Sequence, residues 1–125
     1  METNELRELI RSQLQPLTSG RCYYLNAPAS AEMPRAVFEL RELSYDGGMS
    51  LQELEINVED YGDDTTAAER MADMIQLSLD DYKQLAESFL ISIYREQRKV
   101  IPENDKKIIR RRLTFSVRLH ERSFT

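Results

Sequence analysis

Cysteine occurs once in these 125 residues, at Cys22, so no internal disulfide can form and a cysteine-based zinc cage is excluded. Histidine also occurs once, at His120. Its neighbour Glu121 points to the opposite face of an extended chain, so the two cannot act as a base and its orienter. Glycine is sparse, and neither Gly-x-Gly-x-x-Gly nor Gly-Lys-Ser/Thr is present, which leaves nucleotide binding without a phosphate-cradling loop. Ser19, Ser88 and Ser92 lack the context of a nucleophile elbow. Apolar runs are only a few residues long, far short of the roughly 20 needed to span a bilayer. The opening "METNELRELI" lacks the basic-then-apolar order of a secretory signal. These absences predict a soluble, unexported chain with no membrane partner, no cofactor, no metal centre and no enzymatic activity. The length suits one compact domain spanning residues 1–125.

Charge is present in both signs but segregated. The formal net charge is -5, which argues against a free-standing nucleic-acid binder held by phosphate contacts. From Asp46 to Asp64 there are seven acids and no Lys or Arg, whereas from Arg95 to Arg112 eight basic residues face three acids. Asp60, Asp63 and Asp64 lack the distal glutamate of a calcium loop, and acids ahead of a helix are expected for capping.

Hydrophobic periodicity gives the elements. Leu6, Leu9, Ile10 and Leu14 recur at helical spacing and predict a short amphipathic first helix. "RCYYL" reads as a strand, and "NAPASAEMP" as a long loop. "RAVFELREL" alternates, with Ala36, Phe38 and Leu40 on one parity. "SYDGGMS" then supplies hairpin chemistry, and "LQELEINVEDYG" returns with Leu54, Ile56 and Val58 opposite Glu53, Glu55, Asn57 and Glu59. A second helix is predicted from about Thr65 to Leu79, with Thr66 and Glu69 at capping-box spacing and an apolar stripe of Ala67, Met71, Met74 and Ile75. "ESFLISIYREQ" alternates again, as a parallel or rearranged neighbour of an earlier strand, before the polar connector "RKVIPENDK". The expectation is an α+β fold: a mixed or antiparallel sheet of about four to five strands flanked by two helices.

The closing stretch "IIRRRLTFSVRLHE" decides how the arginines are read. Ile109, Leu113, Phe115, Val117 and Leu119 share one parity; Arg110, Arg112, Thr114, Ser116, Arg118 and His120 share the other. This predicts a long half-buried strand, with Arg111 snorkelling at a sheet edge. Beside the acidic strand, Arg110, Arg112 and Arg118 would oppose Glu53, Glu55 and Glu59, each exposed pair contributing roughly 0.2–1 kcal/mol. The same charges also suit pairing between subunits. Phosphate contact is the weakest reading, because no aromatic platform interleaves the arginines. The tyrosines at strand ends and turns, together with Leu90 and Tyr94 on a nominally wet parity, suit either a small core's rim or contact with another chain.

The order of these elements resembles the phage tail terminator family, also called tail completion or tail-to-head joining proteins. The resemblance is carried by an amphipathic helix, "RCYYLNAPA", a loop with Ala27-Pro28 and Pro34 ahead of "RAVFEL", the acidic "LEINVEDYG" strand, a helix, and the "RRRLTFSVRLHE" closing strand. It covers approximately Asn4 to Arg122. It implies a compact subunit assembled as a ring, commonly a hexamer, which ends tail-tube growth at the tail-neck junction of a virion assembled in the host cytoplasm. Its partners would be further copies of itself, the major tail tube protein, and a head-tail connector or head-closure protein, with viral DNA passing through the lumen without sequence-specific binding. On this reading Glu53, Glu55 and Glu59 of one subunit meet Arg110, Arg112 and Arg118 of the next. The loop holding Pro28 and Pro34 and the turn at Tyr45 and Asp46 face axial neighbours. A small intracellular adaptor or nucleic-acid-associated module is the alternative.

Overall fold

The computed structural model describes residues 3–122. Helix α1 (Thr3–Leu14) precedes strands β1 (Cys22–Tyr24), β2 (Arg35–Asp46) and β3 (Met49–Tyr61). Helix α2 (Thr66–Leu79) follows, then β4 (Tyr82–Leu85), β5 (Phe89–Val100) and β6 (Ile108–Glu121). The strands form one mixed sheet in the order β1-β2-β3-β6-β5-β4, parallel only between β1 and β2. The last strand in sequence therefore lies inside the sheet, joining the β2-β3 hairpin to the β4-β5 hairpin.

Six strands stand where about four to five were expected. The unforeseen one is β4: four residues at a sheet edge, with three of the four exposed, give too little alternation to register in the sequence. Of the two options for β5, a parallel or a rearranged neighbour of an earlier strand, the parallel one does not hold: β5 pairs antiparallel with both β4 and β6.

The β2-β3 turn forms where the sequence placed it. Gly47 and Gly48 occupy the two loop positions at φ 58° and 84°, the paired left-handed conformation that matches the twist of a tight hairpin and that side chains disfavour. Asp46 faces Met49 across it, which sets the register of the acidic strand.

Both helices pack on one face of the sheet, α2 against β3, β5 and β6 and α1 against α2 and β1. On that face Phe38, Leu54, Ile56, Phe89, Ile91, Ile93, Leu113, Phe115, Val117 and Leu119 are buried, and the helices contribute Leu6, Ile10, Leu14, Met71, Ile75 and Leu79. Full burial of each large aliphatic or aromatic side chain contributes about 1.5–3 kcal/mol. The α2 stripe is rotated by one position from the expected one: Ala68 and Ala72 face the sheet, Ala67 is exposed and Met74 is 43% exposed. Alanines against the strands let the helix backbone approach closely, and the longer Met74 is left outside.

The start of α2 also differs from the expected capping box. Asp64 Oδ1 accepts from the Thr66 backbone N–H at 2.9 Å and from its hydroxyl at 2.6 Å, while Glu69 turns to the sheet. Those two hydrogen bonds, from the side chain first, hold the Asp64 carboxyl below its usual range. Among the described residues no helix is long and apolar enough to cross a membrane.

Candidate assembly surface

Among the described residues the sheet's second face carries no helix, and the alternation of β2, β3, β5 and β6 delivers the charged residues to it. As expected from parity, β6 lies beside β3, but register decides the pairings. Arg110 stands opposite Glu59, Arg112 opposite Asn57, and Arg118 opposite Leu51. Glu59 takes Arg110 Nη2 at 2.8 Å and Arg35 Nε of β2 at 2.9 Å, and Arg110 Nη1 lies 2.5 Å from Glu103 in the β5-β6 connection. Glu59 is the least exposed member, at 12% of its side chain. Arg112 reaches diagonally to Glu55 at 3.3 Å and donates to Asn57 Oδ1 at 3.1 Å. Glu53 pairs backwards with Arg41 at 2.5 Å, and Arg41 is two-thirds exposed. Arg118 meets no carboxylate among the described residues, and its guanidinium lies 5.8 Å from the Tyr94 ring centroid. The pairing within one chain is thus realised for Arg110 and Arg112 but not for Arg118.

Glu39 and Glu55 form an exception, because they stand directly opposite each other in β2 and β3. A hydrogen bond between the two carboxyls raises the Glu39 pKa, reinforced by partial burial and the Glu55 charge, and opposed by Arg41 and Arg112. The sign follows from linkage. The folded chain holds the Glu39 proton more tightly than the unfolded chain does, so the repulsion is absent below the ordinary value near 4.5 and sets in as pH rises through the higher folded value. Glu39→Gln is therefore expected to stabilise at neutral pH, by less than about 1 kcal/mol given solvent screening. Thermal unfolding measured at pH 7 and at pH 3.5 should show the gain only at pH 7. An equal gain at both would rule out the carboxyl pair as its source.

The remaining sequence candidates fall at the two ends of β2. The loop with Pro28 and Pro34 is tied to its start: Arg35 Nη1 donates to the Pro28 carbonyl at 3.2 Å, and Arg21 Nε to the Pro34 carbonyl at 2.9 Å. Tyr45 and Asp46 lie at the opposite end, beside the glycine turn, where the Tyr45 hydroxyl donates to Glu121 Oε1 at 3.0 Å. That hydrogen bond and the Glu121 charge push the phenol pKa up. The loop and the turn therefore face different directions along the strands.

Arg111 corrects another expectation. It lies on the helix-facing side of an interior strand, not at an edge, and is 14% exposed because α2 brings Glu69 to within 2.5 Å of its Nε. Arg98 of β5 joins at 3.5 Å from Glu69 and 2.6 Å from Asp73. Glu69, Arg98 and Arg111 line, with Arg95 and Gln76, an open cleft of about 420 Å³. The sequence signal available was a cation on the apolar parity of β6 together with acids three and seven residues into α2. Nothing local linked them. Cys22 is buried, which raises its thiol pKa and leaves it unreactive.

Apolar groups interrupt the open face near β4. Leu85 is 59% exposed, Leu90 41% and Tyr94 36%, and they share the face that carries Arg118 and His120.

Neither a family model nor a curated protein sequence matches this chain. Its fold is similar to that of a chain in a solved structure described as the virion of a native gene transfer agent particle. The TM-score is 0.76 over 94% of this chain and 96% of that one, at 15% sequence identity.

Proposed function

We propose that this chain is a structural protein of a phage-like virion. In this role it closes into a ring, of six copies by the resemblance of its element order to tail terminators, that caps the tail tube, ends its polymerisation and docks the head-side connector without catalysis. One observation carries the reading: the near end-to-end sharing of fold with a virion chain. The surfaces are compatible with it. A subunit with one helix-covered face, one charged face, and distinct features at the two ends of β2 has the different, complementary patches that head-to-tail association requires. The exposed Arg118 and the loop and turn that hold Pro28, Pro34, Tyr45 and Asp46 are the docking groups, toward the tube on one side and the connector on the other.

The nucleic-acid-associated alternative is weakened by the arginines themselves. Arg110, Arg111 and Arg112 are each engaged by a carboxylate of the same chain, which leaves little unpaired charge to grip phosphate. The test is imaging of assembled particles carrying this chain with a bulky tag. A ring of tag density at the head-proximal end of the tail is the expected result. Particles that form complete, length-controlled tails without the chain would overturn the assignment.

A further inference from the structure

The two edges of the sheet are unequal, and they fit one another. On one side β1 covers only Ala36 to Phe38 of β2. The bond from Leu25 N–H to the Phe38 carbonyl is the last along that edge. Residues 41–46 of β2 are all exposed. Outward main-chain groups follow the parity of Ala36 and Phe38, which bond to the β1 side, so those of Leu40 and Glu42 face solvent. On the other side β4 is the terminal strand. Ala86 N–H bonds inward to the Phe89 carbonyl, so by alternation Lys83 and Leu85 present theirs outward.

The heights of these bare stretches follow from the register. Tyr82 lies level with Ile93, Val117, Gln52 and Glu42 in turn across the sheet. Lys83 is level with Ser44, Gln84 with Tyr45, and Leu85 with Asp46, traced the same way. The four residues of β4 thus stand at the height of Glu42, Ser44, Tyr45 and Asp46, with Leu43 at the register shift of β2, in the part of β2 that β1 leaves uncovered. Both stretches also carry exposed apolar side chains, Leu43 at 52% and Tyr45 at 54% on β2, and Leu85 at 59% with Leu90 at 41% behind it.

We infer that β4 of one copy adds to the upper half of β2 of the next, parallel to it and in line with β1, so that the sheets run continuously from subunit to subunit. The occupant of each edge is a second copy of this chain. Strand direction agrees, because β4 runs parallel to β2 within the sheet order, and a copy displaced sideways without inversion presents it correctly. Charge agrees too: Lys83, an edge cation of the kind that deters indiscriminate pairing, meets a stretch bearing Glu42 and Asp46. Side chains fall on matching faces, with Lys83 and Leu85 on the open face beside Ser44 and Asp46, and Tyr82 and Gln84 on the helix side beside Glu42 and Tyr45. Such contacts use two different edges and so propagate head to tail. This inference rests on the ring reading and names the surface that forms the ring.

The test combines a crosslink with an edge block. Ser44→Cys with Lys83→Cys in one chain, treated at high protein concentration with a short bismaleimide, should give a covalent ladder ending at a fixed size; the unmodified chain, with only buried Cys22, should give none. Leu85→Pro, which removes an outward N–H and leaves the β4-β5 bonds in place, should weaken self-association at least about tenfold while circular dichroism stays unchanged. Oligomers that form without the crosslink, or that persist undiminished with Leu85→Pro, would overturn edge addition and leave the ring intact. A chain that stays monomeric at every concentration and forms no ring in particles would overturn both.

Discussion

Phe115→Ala is expected to lower unfolding stability by about 3–5 kcal/mol, the range for emptying a fully buried aromatic site. Phe115 is wholly buried in β6, opposite Leu54 of β3 and on the face that α2 covers. It lies where the two hairpins meet, so strands on either side are held by their own ladders and have little freedom to collapse into the void. Against a total of about 5–15 kcal/mol for a small domain, the loss is a large share. Denaturant unfolding should show a much lower midpoint with an unchanged slope, the mark of lost stability without a changed unfolded state. Phe115→Leu, which keeps most of the volume, should cost less than about 1.5 kcal/mol. A loss below about 1 kcal/mol for the alanine variant would mean that the helices do not seat on this face.

The second large effect is Glu59→Ala, expected to cost about 1–3 kcal/mol. One carboxylate serves two guanidiniums, those of Arg35 and Arg110, which are 17% and 30% exposed. Removing it leaves two partly desolvated cations facing each other. Hydrogen bonds to charged groups are worth about 1.5–3 kcal/mol, and Glu103 remains beside Arg110 to reduce the loss. For a chain of this size the melting temperature should fall by roughly 3–6 °C per kcal/mol. The comparison that isolates burial is Glu53→Ala, which breaks the same kind of pair with the exposed Arg41 and should cost under about 1 kcal/mol. Equal losses for the two variants would show that desolvation has no part in the Glu59 cluster.

Much of this architecture was readable from residue order, and the failures share a cause. Alternation in "LQELEINVED" and "RRLTFSVRL" reported which face each residue occupies, and the paired glycines fixed the hairpin. Those are local signals, complete within a dozen residues. Which acid meets which arginine was not local. It depends on the β3-β6 register, set jointly by the glycine turn and by the packing of α2, and the result sends Arg112 diagonally to Glu55 and leaves Arg118 beside Tyr94. Arg111 departs from its expected edge position for the same reason: a cation on an apolar parity is explained by a carboxylate arriving from another element, here Glu69. β4 gives no such signal because only one of its four side chains, Tyr82, is even half-buried. The candidate surface was legible as a set of charges, while its division into paired and free groups required the tertiary structure.

The position of β6 also governs how a newly made chain reaches this form. Among the described residues the β2-β3 and β4-β5 hairpins share no ladder with each other, and the strand that bonds to both is synthesised after them. Glu59 already has Arg35 within its own hairpin and waits for its second partner, Arg110, 51 residues downstream; until β6 emerges the inner margins of both hairpins stand open. Long-range closure of this kind is slow and leaves unsatisfied strand margins exposed to neighbours until β6 is in place.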